Sequence, residues 1–289
     1  MIGALTILLG VVLSFIGSPA YGAPGSLASR SALPSYAFAG IPLQANHFDR
    51  VLPRAHRQPV ILVHGTWASA HRLAPLVNRL NHAGFAVFTF NYGQDDRSVT
   101  GSVPGLYGTG PIAASARQLG SFVRLVRERT GAAKVDLVGH SQGGLVARRY
   151  LLDEGGAAVH TVVTLGSPHH GTTFHGLSTL VGAQGTLPRQ TRGLRDNAPQ
   201  ILGPAALDQL SGSAFLTETN RTGDTVAGIS YTAIITRFDQ VVTPARSGLL
   251  TGPSVHNVVV QDRFPDDRVD HLTLPRDPNV QQLIIEALR

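Results

Sequence analysis

Apolar residues along this chain fall into short unbroken runs, and between the runs they recur at helical spacing. The stretch "PVILVHG" (Pro59–Gly65) is a near-continuous apolar run rich in β-branched residues, as a strand buried on both faces requires. "HRLAPLVNRLNHAG" (His71–Gly84) instead places Leu73, Leu76, Val77 and Leu80 three and four apart and stops at a glycine, which predicts a helix. "FAVFTFN" predicts a second strand. "PIAASARQLGSFVRLVRERTG" predicts a long helix with Ile112, Leu119, Val123 and Val126 on one face and Gly131 at its end. "KVDLVGH", "VHTVVTLGSP", "ISYTAIIT" and "HNVVVQD" predict four more strands. "GGLVARRYLLDEGG" predicts the helix between the first two of these. "DPNVQQLIIEAL" predicts a terminal helix with Asp277 as its cap and Pro278 at its first position.

Strands that alternate with helices predict an α/β fold with a mostly parallel sheet covered on both faces. One segment breaks the alternation. Residues 169–223, rich in Gly, Thr, Pro and Leu, hold only two weak helical pieces, "STLVGAQGTL" and "APQILGPAALDQL". An insertion that long between sheet strands is usually functional. The expected organisation is therefore one domain over residues 59–289 carrying an insertion at 169–223. A Gly-, Ser-, Ala- and Pro-rich extended arm over residues 23–58 precedes it. Residues 1–22 form an apolar run, "IGALTILLGVVLSFIG", followed by small residues in "SPAYGA". This reads as a secretory signal peptide cleaved after Gly22, so a secreted protein is expected, a retained anchor being the alternative. The run is short against the roughly 20 apolar residues of a membrane span.

Composition narrows the chemistry. The 289 residues are 43% hydrophobic with a formal net charge of +6, and Lys134 is the only lysine among 24 basic residues. The arginines are scattered singly or in pairs, without the basic run that marks a nucleic-acid patch. No nucleic-acid partner is expected, and the charge suits a protein that sits near an anionic lipid surface. The chain has no cysteine, which excludes disulfides, thiolate metal sites and thiol nucleophiles. The compartment stays open on that ground, since disulfides are permitted outside the cell but not required. His169, His170 and His175 lie near one another in sequence, but no spacing fixes a metal geometry; no metal and no cofactor are expected.

The junction "LVGHSQGGLVARRY" (Leu137–Tyr150) carries the candidate chemistry. A strand runs into a helix with Ser141 at the turn, and Gly139-His140-Ser141-Gln142-Gly143 fits G-x-S-x-G. Glycines are needed there because side chains would clash across so sharp a turn. The turn lifts the serine hydroxyl to a helix N-terminus, where free N–H groups favour developing negative charge. A serine nucleophile needs a base, and the base needs a third group to hold its tautomer. In a strand–turn–helix site of this kind the acid and the histidine follow in that order, after late strands. Asp239, in an exposed turn past the strand "ISYTAIIT", and His271, in the loop past the last strand, meet that order. Asp262, Asp266, Asp267 and Asp270 are rival acids, but they lie after the last strand rather than one strand earlier. His256 opens a strand and reads as structural, and His140 occupies the variable position of the motif. Two N–H donors are expected for an oxyanion: Gln142, directly after the nucleophile, and Thr66 in the loop "His64-Gly65-Thr66-Trp67". The Thr66 hydroxyl could add another hydrogen bond.

The motifs "VHGTW", "GLYGTG", "GHSQGG", "GSPHHGT", "TRFDQVVTP" and "VDHLTLP" together resemble the secreted bacterial triacylglycerol lipases of lipase class 2, in the α/β-hydrolase superfamily. The resemblance runs from Pro59 to the C-terminus. It implies the α/β-hydrolase fold with a cap- or lid-like insertion, a Ser141–Asp239–His271 triad, and Thr66 and Gln142 as oxyanion donors. The substrate it implies is an acyl-ester lipid, met in transient contact with a lipid–water interface. The insertion leaves from the carboxyl end of the strand beside the nucleophile strand. Its apolar Leu177, Leu180 and Val181, together with Trp67, are therefore expected to line an acyl channel. A monomer is the favoured state. The same triad would serve an acyl-thioesterase or an acyltransferase, and the motif does not identify the leaving group. A non-enzymatic protein on the same scaffold would have no need of all three triad residues.

Overall fold

A computed structural model describes residues 33–49, 52, 58–174 and 192–289, with the side chains of 192–196 left aside. The first 32 residues, including the expected signal peptide, lie outside the described residues. So do Leu177, Leu180, Val181 and the piece "STLVGAQGTL".

Six strands, β1 (Val60–Val63), β2 (Val87–Thr89), β3 (Val135–His140), β4 (Val159–Leu165), β5 (Ser230–Ile235) and β6 (Val255–Val259), form one sheet in the order β2-β1-β3-β4-β5-β6. Every pairing is parallel. Alternate residues of each strand feed two cores. Ile61, Val63, Phe88, Leu137, Val162 and Ala233 pack on one face, beneath α2 (Ile112–Thr130) and α3 (Gln142–Glu154). Val60, Leu62, Val87, Val138, Val163 and Ile234 pack on the other, beneath α1 (Ala74–His82) and α8 (Pro278–Ala287). This two-sided burial is why β1 is apolar at every position. The capping signals hold. Gly131 ends α2 at φ 71°, and the Asp277 side chain accepts from the Val280 N–H to start α8.

The chain goes from β1 outward to β2, then crosses back to place β3 on the other side of β1. The carboxyl ends of β1 and β3 therefore meet where the winding reverses, the crevice at which parallel α/β sheets bind ligands. The insertion rises from the same edge. Within it the described residues form α4 (Arg192–Leu202), α5 (Pro204–Asp208) and α6 (Ala214–Asn220).

Two segments differ from expectation. Residues 33–49, expected as part of an extended arm, include a 3-10 turn at Ser35–Phe38 and bury Leu33, Ala37, Ala45 and Phe48. Asn46 pairs with the backbone of Thr89 through both halves of its amide, at 2.8 Å each, and so satisfies the outer side of edge strand β2. The last strand ends at Val259, and Val260–Arg263 close into a helical turn, α7, where the apolar run "VVV" predicts extended chain. Val260 is fully buried there, so the run records burial rather than strand. No helix among the described residues is long and apolar enough to cross a membrane.

Candidate active site

Ser141 caps α3 with φ 55° and ψ −125°, a backbone conformation that non-glycine residues rarely adopt. It is held there from both sides. Its N–H donates to the Leu165 carbonyl at 2.8 Å, continuing the β3–β4 ladder, and its carbonyl accepts from Gly144 at 3.1 Å. The flanking glycines are required sterically. A Cβ on Gly139 would come within 2.5 Å of the Gly143 backbone, and one on Gly143 within 2.2 Å of the Val63 carbonyl oxygen. The loop after β1 passes as closely: a Cβ on Gly65 would sit 3.0 Å from that of Ser141.

His271 lies with Nε2 3.0 Å from Ser141 Oγ, and its Nδ1 lies 2.8 Å from Asp239 Oδ2. All three residues are buried. The other Asp239 oxygen accepts from the N–H groups of Val241 (2.8 Å) and Val242 (2.7 Å). Burial alone would raise the Asp239 pKa. The adjacent imidazole and the backbone donors outweigh it and hold the carboxyl below its ordinary value. An ionised Asp239 fixes the proton of His271 on Nδ1 and leaves Nε2 free to accept from the serine hydroxyl.

The structure thus brings together Ser141, Asp239 and His271, and corrects one detail. Asp239 is 8% exposed rather than in an exposed turn, because the chain after β5 folds back over its carboxylate. The rival acids are engaged elsewhere or point away. Asp262 pairs with Arg237, and Asp267 accepts from the Val269 N–H and the Asn279 amide. Asp270 caps Thr273, and Asp266 is exposed.

Of the expected donors, Gln142 directly follows the serine, and Thr66 follows Gly65, whose backbone passes against it. Gln142 opens α3, so its N–H has no partner within its own helix. The Thr66 N–H makes no turn or loop bond among the described residues. The Gln142 side chain is fully buried; its Nε2 donates to the Gly108 carbonyl at 3.2 Å, and its Oε1 lies 3.1 Å from the Tyr92 hydroxyl. That hydroxyl also reaches the His64 carbonyl. Trp67, at φ 51°, is buried and donates its indole N–H to the Leu202 carbonyl of the insertion at 2.9 Å. A recess beside the elbow is lined by His64, Gly65, Leu73, His140, Leu272 and Pro275.

Several residues near the serine make contacts that leave no local signal in the sequence. His140, read only as the variable position, is buried and bonds through Nε2 to the His271 carbonyl at 2.9 Å, tying the elbow to the histidine loop. Burial and the neighbouring His271 lower its pKa to about 3, so it is neutral. His64 stacks on Tyr92 at 4.3 Å, and burial, offset only in part by its bond to the Gly65 carbonyl, lowers its pKa to about 4. His169 is also buried, against the Thr164 hydroxyl, and His170 pairs with Asp224 at 3.3 Å. Tyr92 carries no local signal, because its role depends on contacts far apart in the chain.

Comparison with known proteins agrees with this architecture. A family model described as Lipase (class 2) matches residues 57–283. A triacylglycerol lipase of Pseudarthrobacter phenanthrenivorans is 37% identical over 129 residues, covering 42% of this chain and 36% of that protein. One of Burkholderia plantarii is 37% identical over 129 residues, covering 42% of this chain and 32% of the other. The chain thus spans about a third of the length of these relatives. Among solved structures, Aspergillus fumigatus lipase B superposes with a TM-score of 0.65 at 17% identity, covering 95% of this chain and 63% of that one. A mature Bacillus licheniformis lipase superposes with a TM-score of 0.60 at 16% identity, covering 83% and 96%. These structures share the α/β-hydrolase fold, and by the family match over residues 57–283 the chain belongs to the class 2 lipases.

Proposed function

We propose that the protein is a serine hydrolase that cleaves carboxylic esters of acyl lipids, as a triacylglycerol lipase or carboxylesterase. The observation that carries this is the buried hydroxyl–imidazole–carboxylate chain, with links of 3.0 and 2.8 Å. Family membership supports the ester substrate.

In this reading Ser141 Oγ attacks the ester carbonyl carbon while its proton passes to His271 Nε2. Asp239 stabilises the imidazolium without taking its proton. The carbonyl oxygen becomes an oxyanion and accepts hydrogen bonds from the N–H groups of Thr66 and Gln142. The carbon–oxygen bond to the alcohol then breaks, and the alcohol leaves with the proton held on His271. Water, deprotonated by the same Nε2, attacks the acyl-enzyme and releases the fatty acid. The loop after β1, through Trp67, and the insertion, through Leu177, Leu180 and Val181, line the acyl channel. Residues 59–289 act as the catalytic unit, residues 1–22 direct secretion, and the basic surface favours brief contact with a lipid–water interface.

Assay with p-nitrophenyl esters beside acyl-thioesters of matched chain length tests the leaving group. Ester turnover that exceeds thioester turnover, and that rises with chain length up to a limit, is the expected result. Preference for the thioester would overturn the lipase reading in favour of an acyl-thioesterase.

A further inference from the structure

The insertion contributes a side chain to the wall of the oxyanion loop. Gln209, only 1% exposed, follows α5 and donates from Nε2 to Thr66 Oγ1 at 2.8 Å. The same Nε2 donates to the Ala205 carbonyl at 2.9 Å. A carbonyl oxygen can only accept, so the atom facing it must be the amide nitrogen, and the orientation of the amide is settled by its surroundings. Both N–H groups of Gln209 are then engaged, one on Ala205 and one on Thr66.

This sets the polarity of the threonine. Its oxygen accepts from Gln209, so its single proton must point elsewhere. Among the described residues the Thr66 hydroxyl has no acceptor of its own, and Thr66 follows Gly65, which passes directly against Ser141. The grip on Gln209 is firm. Its carbonyl accepts from the Thr172 N–H at 3.0 Å, and Asp208 beside it accepts from the Ile112 N–H at 2.9 Å. Trp67, next to Thr66, is anchored to the insertion through Leu202.

We propose that Gln209 is a positioning residue that holds the Thr66 hydroxyl with its proton toward the reacting carbonyl oxygen, so that the insertion completes the oxyanion hole with a third donor. The ligand recognised is the anionic oxygen of the tetrahedral intermediate. The proposal rests on the serine-hydrolase reading given above. An oxyanion exists only beyond the ground state, so the effect falls on kcat and leaves KM nearly unchanged.

The test is a double-mutant cycle on a short soluble ester, with thermal unfolding recorded for each variant. Thr66→Val should lower kcat about 100-fold, the loss that follows removal of one oxyanion donor. Gln209→Met should lower kcat about tenfold by freeing the hydroxyl to rotate. Gln209→Glu should lower it further, since a carboxylate draws the threonine proton toward itself. Neither change at Gln209 should lower kcat further in the Thr66→Val background. Full kcat in Thr66→Val, or additive losses in the double variants, would overturn the proposal. Loss of the folded state in both Gln209 variants would make it a residue of the fold and overturn it likewise. Wild-type protein without esterase activity would instead remove the hydrolase reading itself, so the two failures are distinguishable.

Discussion

Asp239 divides its two oxygens between two tasks: one receives the proton-bearing nitrogen of His271, and the other holds its own loop through Val241 and Val242. Replacing it by asparagine keeps the shape but removes the charge that fixes the histidine tautomer. Asp239→Asn should lower kcat by roughly 10⁴-fold, as loss of the acid does in another serine hydrolase. Asp267→Asn and Asp270→Asn should stay within several-fold, because those carboxylates face Val269, Asn279 and Thr273 rather than the imidazole. A larger loss in Asp270→Asn than in Asp239→Asn, read from steady-state rates, would refute the assignment. The meeting of Ser141, His271 and Asp239 was legible in the sequence because chain order and the sharp elbow constrain it. The burial of Asp239 was not, since aspartate before a proline-containing turn reads as solvent-facing.

At the scale of elements, the end of the insertion is locked to the sheet layer by a buried ion pair. Arg148 of α3 reaches Asp224 Oδ1 at 3.1 Å, both side chains being nearly inaccessible, and also binds the carbonyls of His169, Gly223 and Asp224 and the Asn220 side chain. The other Asp224 oxygen accepts from the N–H and hydroxyl of Thr251, at 2.8 Å each. Removing one partner of such a pair strands a buried charge, so Arg148→Met should cost about 3–5 kcal/mol in chemical denaturation. A loss under about 1 kcal/mol, the range of surface pairs, would show the network to be incidental. Sequence periodicity locates α3 but carries no signal for the partner of Arg148. Its partner lies 76 residues away, at the far end of a segment with no regular pattern. The strands and long helices were legible for the opposite reason, since each carries its own period. Residues 33–49 were not, because packing of Leu33, Ala37 and Phe48 on the core leaves no period in so short a stretch.

For the whole molecule, buried neutral histidines set the response to acid. His64 and His140 have pKa values lowered to about 4 and about 3 by burial, whereas in the unfolded chain they titrate near 6.5. The unfolded state therefore binds more protons below about pH 6.5, and stability falls as pH drops from there through about 4. Asp239, whose pKa is depressed, adds a loss in the same direction once pH falls below its ordinary value near 3.9. The unfolding free energy from chemical denaturation should decline by an amount on the order of a few kcal/mol between pH 7 and 4, with the midpoint falling accordingly. His140→Gln, which keeps a donor for the His271 carbonyl, should flatten part of that slope. A midpoint constant over that range would contradict the burial of neutral imidazoles.

In the proposed function Ser141, activated by His271, is the nucleophile. The most direct measurement is intact-protein mass after reaction with a fluorophosphonate, taken on the wild type, Ser141→Ala and His271→Ala. The expected result is one adduct per chain in the wild type, located on Ser141, and none in Ser141→Ala. His271→Ala should react at a rate slower by orders of magnitude. An adduct that persists in Ser141→Ala, or unchanged labelling when His271 is removed, would contradict it.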